Sequence, residues 1–443
     1  MDTPEAGVAP DDKGLSGGAA QNRKPDQPRP EPPRSGQHGP KPHKRKKRKR
    51  GRKVFARDGQ QPSQTPPSPA KAPVNGASGP APQPSQQPQP ARDTAGAATT
   101  PTSTQWRNGA TPPLYAALDL GTNNCRLLVA APTRPGQFRV VDAFSRIVRL
   151  GEGLSASGRL GEEAMRRAVE ALGICAGKLR ARNVRQRRLI ATEACRSAAN
   201  GEEFLARVER ETGLALEIID RETEARLAVS GCGSLIEPET QGVVLFDIGG
   251  GSSEIALIDL SKGRTARLAN HIVSWTSLPV GVVSLAERFG GRDVTPAIFE
   301  AMIEDVGGML GGFAGRDRLG ALTDGGKFHL LGTSGTVTTL AGVFLGLDRY
   351  DRRRVDGLWM DRADVDAMTA KLLGWDFSAR VANPCIGADR ADLVLAGCAI
   401  LEAIRRAWPS QRLRVADRGL REGILTELMA SDGAWRRGRR LYR

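Results

Sequence analysis

The sequence predicts an α/β chain built from two similar halves that face a shared cleft, preceded by a long disordered basic tail. Three observations predict it. Apolar strand runs end in an acid and a glycine/hydroxyl turn at two places, Asp119 in YAALDLGTNN and Asp247 in VVLFDIGGGSSE. Strand-like and helix-like runs alternate from Tyr115 to Met429, as in α/β domains. Composition changes sharply near Pro113, with 22 of the 29 prolines at or before it.

The first 113 residues hold long Gln/Ser/Pro/Ala stretches and almost no aliphatic periodicity. Such a segment cannot bury enough apolar surface to offset its ordering entropy, which predicts disorder. The chain carries a net charge of +16, of which residues 1–110 supply +11, so the basic character is mostly a property of the tail. Within it the run KPHKRKKRKRGRK, Lys41 to Lys53, reads either as a solvated polycation or as an electrostatic hook for RNA, an acidic membrane surface or polyphosphate. Few aromatics are interleaved with the charges, which argues against a structured RNA-binding domain.

Past the tail, Tyr115 to Ala130 reads as a strand, a turn and a second strand. FRVVDAFSRIVRL, Phe138 to Leu150, reads as a further strand pair closing a meander. Gly161 to Asn183 has the apolar spacing of a long amphipathic helix. RRLIATEACRSAANGEEFLARVERETG runs strand, loop, helix, with Asn200 as N-cap and Glu203 at the third helical position. LEIIDRETEARLAVSGCG gives a short strand and a helix from about Arg221. The second half opens with the hairpin DIGGGSSEIALID, followed by helices in VSLAERF and PAIFEAMIEDVGGMLGGF. LLGTSGTVTTLAGVFLG reads strand, turn, helix. Two more helices follow, in DRADVDAMTAKLLG and ADLVLAGCAILEAIRRAW, and LRVADRGLREGILTELM closes with strand, turn and helix.

Six cysteines without a CxxC pair, mostly among small or apolar residues, predict reduced thiols packed as small hydrophobes. No secretory h-region and no 18-residue apolar span are seen, so the expected location is cytoplasmic and no transmembrane segment is expected. Of four histidines only His271 and His329 lie past the tail, which disfavours a histidine triad or a His-rich zinc site. The chemistry is left to carboxylates, hydroxyls, arginines and backbone amides.

The turns carry that chemistry. Gly249, Gly250 and Gly251 let the backbone approach a ligand closely, and their N–H groups can converge on an anion, phosphate above all. Asp247 and Glu254 repel a bare phosphate, which points to Mg²⁺ between them or to general-base work. Read alone, the segment also fits a glycine-rich hairpin with solvated acids. Asp119 with Gly121, Thr122, Asn123 and Asn124 repeats the design. A third turn, GTSGT (332–336), and a fourth, ADRGLREG (416–423), follow strand-like runs. Four such turns in one chain make chance a poor explanation.

With ALDLGTNNCRLLVA, ATEACRSAANGEEFL, EIIDRETEARLAVSG, LFDIGGGSSEIALID, LPVGVVSLAERF, LLGTSGTVTTLAG and VADRGLREGIL in that order, the chain resembles the exopolyphosphatase and guanosine pentaphosphate phosphatase family. That family lies in the actin, sugar-kinase and Hsp70-like superfamily. The resemblance covers roughly residues 114–430. It implies two ribonuclease-H-like (actin-like) α/β domains, at 114–237 and 238–432, between the tail (1–113) and a short basic C-terminal tail (433–443). It implies Glu224, in RETEARL, as catalytic base, and Asp119, Asp247 and Glu254 as the group that organises Mg²⁺ and water. Phosphate binding falls to Gly121, Thr122, Asn123, Gly249, Gly250, Gly251, Ser252, Ser253 and Gly335, with Arg196 reaching the substrate phosphate as a planar two-oxygen fork. Long members of the family continue into a C-terminal helical domain, and the expectation is that this chain lacks it.

The expected function is Mg²⁺-assisted release of terminal orthophosphate from inorganic polyphosphate. Hydrolysis of the 5′ γ-phosphate of guanosine pentaphosphate is the alternative within the same chemistry. An ATP-dependent kinase-like protein and a non-catalytic polyanion-binding protein are the alternatives outside it. RETEARL argues against the kinase, since a glutamate there belongs to the phosphatase family. The expected partners are polyphosphate or guanosine pentaphosphate, RNA or another polyanion at the tail, and a second copy of the chain in a homodimer.

Overall fold

The computed structural model describes residues 112–265 and 267–435, and these form two β-sheets with helices on their faces. The expected disordered tail with its Lys41–Lys53 run, and the basic residues from 436 on, lie outside the described residues.

The first sheet contains β1 (Leu114–Leu120), β2 (Asn124–Pro132), β3 (Phe138–Ile147), β4 (Val184–Ala191) and β5 (Glu217–Ile218). Their order is β3-β2-β1-β4-β5. The first three are antiparallel, and β4 and β5 add in parallel. The second sheet contains β6 (Gly242–Ile248), β7 (Ser253–Asp259), β8 (Ile272–Leu278), β9 (Phe328–Thr333), β10 (Trp359–Asp361) and β11 (Arg412–Ala416). Its order is β10-β11-β9-β6-β7-β8. With β10 set aside, the two sheets share one plan: an antiparallel meander of three strands, then two parallel additions beside the first. β1 therefore corresponds to β6, and Asp119 and Asp247 both occupy the sixth position of a seven-residue strand.

The central strands are built to be buried. Ala116, Leu118 and Leu120 on β1, and Val244, Phe246 and Ile248 on β6, face the cores of their respective halves. A second pair of cores lies between the sheets and two crossing helices. Helix Arg221–Cys232 follows β5, yet its Ala228, Val229 and Cys232 pack on Val243, Leu245 and Ala256 of the second sheet. Helix Leu420–Ser431 follows β11, yet its Ile424, Leu425 and Met429 pack on Tyr115, Ala117 and Leu128 of the first. The two helices touch backbone to backbone. A Cβ on Gly231 would stand 2.0 Å from the Gly419 carbonyl oxygen, and one on Gly423 would stand 2.0 Å from that of Leu227. Only glycine permits that approach.

Three local expectations are corrected. The run Phe138–Leu150 holds one strand, not a pair: β3 ends at Ile147 and pairs with β2 along its length, with a register shift at Val129/Ala130. Asn200 is the N-cap of helix Gly201–Thr212, but its side chain makes no capping bond. Its amide instead clamps Leu160, accepting from the backbone N–H at 2.8 Å and donating to the carbonyl at 3.1 Å. The strands β8 and β10 were not anticipated. Both are edge strands, half-buried or short, with weak apolar alternation. All six cysteines are buried and unbridged, as expected for thiols used as small hydrophobes. Among the described residues no helix is long and apolar enough to cross a membrane.

Candidate active site

The C-terminal ends of β1 and β6 open into a cleft of about 580 Å³ between the two sheets. Each end carries the same turn. Gly121 N–H donates to the Asn124 carbonyl at 2.9 Å, and Gly249 N–H donates to the Ser252 carbonyl at 2.9 Å. The turns face each other closely: a Cβ on Gly250 would lie 2.8 Å from Thr122 Cβ, and one on Gly251 2.9 Å from Thr122 Oγ1.

The triglycine turn is aimed by the helix behind it. The N–H groups of Val282 and Val283, at the start of helix Val282–Phe289, donate to the carbonyls of Gly249 and Gly250, both at 2.9 Å. In a trans peptide the next N–H points the opposite way. The N–H groups of Gly250 and Gly251 are thereby turned from that helix toward the cleft, free to meet an anion. Gly281 makes room for this, since a Cβ there would lie 2.4 Å from the Gly250 oxygen.

Four carboxylates gather at this place. Asp119 and Asp247 end their strands, and Glu254 stands opposite Asp247 across the β6–β7 pair. Glu224 comes from the first turn of helix Arg221–Cys232, where the Asp220 carboxylate caps Thr223 N–H at 2.7 Å. All four are held above the ordinary carboxylate range. Burial, then the Glu254 and Asp119 charges, push Asp247 up to about 7. Burial and the Glu254 charge raise Glu224 well above its usual value, with Arg196 partly opposing. Burial raises Glu254 against hydrogen bonds from Ser252 Oγ (2.7 Å) and Ser277 Oγ (2.8 Å). Burial raises Asp119 against Arg126 and Arg421.

The structure sorts the anticipated residues. Asp119, Gly121, Thr122, Asn123, Glu224, Asp247, Gly249, Gly250, Gly251, Ser252, Glu254 and Gly335 all line the cleft. Two do not. Ser253 is fully buried and donates to the Val280 carbonyl at 2.7 Å, tying β7 to the segment before Gly281. Arg196 stands behind the carboxylates, donating to Glu193, to Glu224 Oε2 at 3.1 Å and to the Ile219 carbonyl at 2.6 Å. Glu193 is in turn held by Arg221 and Ser197. Burial disfavours the Glu193 charge, but these partners outweigh it and keep its carboxyl below the ordinary range.

Three cleft residues were missed. Arg126 faces Asp119 across β1–β2, the position that Glu254 takes opposite Asp247. Writing the two turns in register would have exposed it, since each partner follows its aspartate by seven residues. Arg421 opens helix Leu420–Ser431 and lines the same cleft. The side chains of Arg126 and Arg421 form no ion pair or hydrogen bond among the described residues, so both remain available to an anion. Ser334 has a φ of 92°, a strained backbone for a non-glycine residue, and its hydroxyl is buried without a partner. The side-chain oxygens of Asn123 and Asn124 are also buried without a partner.

These oxygen donors bear on metal binding. Among the described residues no three His, Cys, Asp or Glu side chains stand close enough to enclose an ion by themselves. The donors fit Mg²⁺ in its usual protein mode, held by one or two carboxylates with the remaining positions left to phosphate and water.

A sequence model of the Ppx/GppA phosphatase family matches residues 129–432. The chain belongs to this family. It is thus a hydrolase-type enzyme, and its two-sheet architecture agrees with that of solved family members. It is 29% identical to Exopolyphosphatase 2 of Mycobacterium tuberculosis, over 71% of this chain and 98% of that one. It is 28% identical to the guanosine-5′-triphosphate,3′-diphosphate pyrophosphatase of Photobacterium profundum, over 72% of this chain and 60% of the longer relative. Among solved structures, the Ppx/GppA family member of Aquifex aeolicus aligns with a TM-score of 0.58 at 27% identity, covering 72% of this chain and 98% of that one. An exopolyphosphatase of Cytophaga hutchinsonii shares the fold with a TM-score of 0.64 at 23% identity, over 72% and 98% of the two chains.

Proposed function

We propose that this Ppx/GppA protein releases terminal orthophosphate from inorganic polyphosphate, with Glu224 activating the attacking water. The observation that carries the proposal is the position of Glu224. It projects from the crossing helix into the cleft between two facing glycine turns, oriented by Arg196, and burial raises its carboxyl well above the ordinary range, which makes it a stronger base.

The terminal phosphate lies in the cleft beside the two turns, against the Thr122–Asn123 turn and the N–H groups of Gly250 and Gly251. Water attacks its phosphorus in line, Glu224 takes the proton, and the bridging P–O bond breaks. The bridging oxygen departs on the shortened chain. Preorganised amides and the guanidinium groups of Arg126 and Arg421 offset charge on the equatorial and leaving oxygens. Mg²⁺, when bound, would neutralise phosphate charge; one or two carboxylates from among Asp119, Asp247 and Glu254 would hold it, with the Asn123 and Asn124 side-chain oxygens beside them. Arg196 is a positioning residue in this account: it fixes the Glu224 carboxylate and does not itself meet the substrate.

Guanosine pentaphosphate is the second reading, favoured by the similarity to the Photobacterium enzyme. One assay separates the readings: orthophosphate release from polyphosphate, guanosine pentaphosphate and ATP, each with Mg²⁺. Polyphosphate turns over fastest on the first reading and guanosine pentaphosphate on the second. Preferred ATP turnover would overturn both.

A further inference from the structure

Glu224 does not have Arg196 to itself. The same guanidinium donates to Glu193 Oε2 through Nη2 and, at 3.1 Å, through Nε, whereas Glu224 Oε2 receives Nη2 alone, at 3.1 Å. Nη1 is taken by the Ile219 carbonyl at 2.6 Å. Glu193 opens the short helix Glu193–Ser197, just past the end of β4 and beside the end of β1. Its Oε1 accepts from Ser197 Oγ and from Arg221 Nη2 at 2.9 Å, and Arg221 Nε donates to Oε2 at 3.3 Å. Arg221 is the first residue of the crossing helix that carries Glu224. The Glu193 stem also reaches the second half, since a Cβ on Gly251 would lie 3.3 Å from Glu193 Cγ. One carboxylate, 7% exposed, thus touches the turn after β4, the crossing helix and the triglycine turn.

We propose that Glu193 is a positioning residue for the hydrolysis: it draws two prongs of the Arg196 guanidinium to itself, so that Glu224 keeps one oxygen free for the attacking water. The inference rests on Glu224 being the base. A guanidinium meets a carboxylate best as a two-pronged fork. With an anion at position 193, Nε and Nη2 both turn to it, and Glu224 Oε1 accepts no hydrogen bond among the described residues. With a neutral side chain there, the fork closes on Glu224 and covers both of its oxygens. A carboxylate paired in that way is a weaker base, and water loses its acceptor. Arg221 adds to the effect, because it ties the same anion to the helix that seats Glu224. An ion-pair knot that served the fold alone would cost stability when broken and leave the rate of the folded enzyme unchanged.

The test measures orthophosphate release with Mg²⁺ by the full chain, on whichever of polyphosphate and guanosine pentaphosphate the parent turns over faster. The variants are Glu193→Gln, Arg196→Gln, the two together, and Glu224→Gln, each with a thermal melt to confirm folding. Glu193→Gln should lower kcat on the order of tenfold and leave KM within about twofold. The double variant should match Arg196→Gln within about twofold, because Glu193 acts through Arg196 and the two losses do not multiply. A parental kcat in Glu193→Gln, or losses that multiply in the double variant, would overturn the proposal. If Glu193→Gln does not fold, the comparison of the double variant with Arg196→Gln decides in the same way. Near-parental release by Glu224→Gln would remove the base reading on which the inference stands. Loss of release in Glu224→Gln with none in Glu193→Gln would overturn this inference and leave the base reading in place.

Discussion

Asp247 has a cost that its surroundings impose. Its folded pKa of about 7 lies above its ordinary 3.8, because burial and two neighbouring carboxylates disfavour its charge. The folded protein therefore holds this proton at pH values where the unfolded chain has already lost it. Stability contributed by the site is present at low pH and is lost as pH rises from about 4 through 7. The metal-free protein should accordingly be more stable near pH 5.5 than near pH 8. Asp247→Asn should flatten that dependence and raise stability at pH 8 by roughly 2–4 kcal/mol, while abolishing turnover. Denaturant melts at the two pH values check this, and an Asn variant with the parent's pH slope would contradict it. At this scale the sequence was informative where function concentrates in turns: the strand-end aspartates and the glycines were legible because acid and glycine are locally unusual there. Arg126, Arg421 and Ser334 were not. An arginine in a strand or at a helix start looks ordinary until its cross-strand or cross-cleft partner is known, and Ser334 is marked only by its backbone angle. Arg196 and Ser253 were legible as residues but their partners were not: Arg196 holds Glu224 and Glu193, and Ser253 holds the Val280 carbonyl.

Among elements, the pair of crossing helices is the joint on which the cleft depends. It sets Glu224 and Arg421 against the two turns, and its closeness rests on Gly231 and Gly423. Gly423→Ala drives a methyl group into the Leu227 carbonyl, a backbone atom that cannot yield without shifting the helix. The expected cost is about 2 kcal/mol or more, after the helix-propensity gain of alanine is allowed for. Gly307→Ala in helix Pro296–Gly311 is the control: a Cβ there meets nothing, and the change should be neutral or stabilising by up to about 1 kcal/mol. Urea midpoints of the two variants give the comparison, and equal midpoints would contradict the close-packing account. The helices themselves were readable from the sequence pattern. That each packs across to the other half's sheet was not, because amphipathicity says that a face is buried but not against what. The edge strands escaped for a related reason: an edge needs little apolar alternation.

For the molecule as a whole, the halves meet at the helix crossing, at the two facing turns and at a clasp across the cleft. In the clasp Arg149 meets both oxygens of Asp392 at 3.0 and 3.1 Å and the Asp389 carbonyl at 3.0 Å, and Gly153 N–H donates to Glu287 nearby at 2.9 Å. Arg149 has a φ of 47°, and its own N–H donates to the Asn123 carbonyl at 3.1 Å, which ties the clasp to the first of the two facing turns. Asp392→Ala should therefore raise KM for short substrates severalfold with little loss of stability, because a half-exposed pair contributes only about 1 kcal/mol. Added salt should move the parent toward the variant. A KM unchanged by the substitution at low salt would show that the clasp does not hold the cleft. The repeated sheet plan was anticipated from two turns in corresponding places, whereas the clasp joins residues more than 240 positions apart with no pattern to connect them.

The central claim is that Glu224 is the base. The most direct test is single-turnover orthophosphate release from polyphosphate with Mg²⁺ by Glu224→Gln, alongside binding of the same polyphosphate. The substitution keeps shape and removes the oxygen that takes the proton. The rate should fall on the order of 10²-fold or more while affinity holds within a few-fold. Near-parental release by the variant would contradict the account and return Glu224 to the role of a buried partner for Arg196.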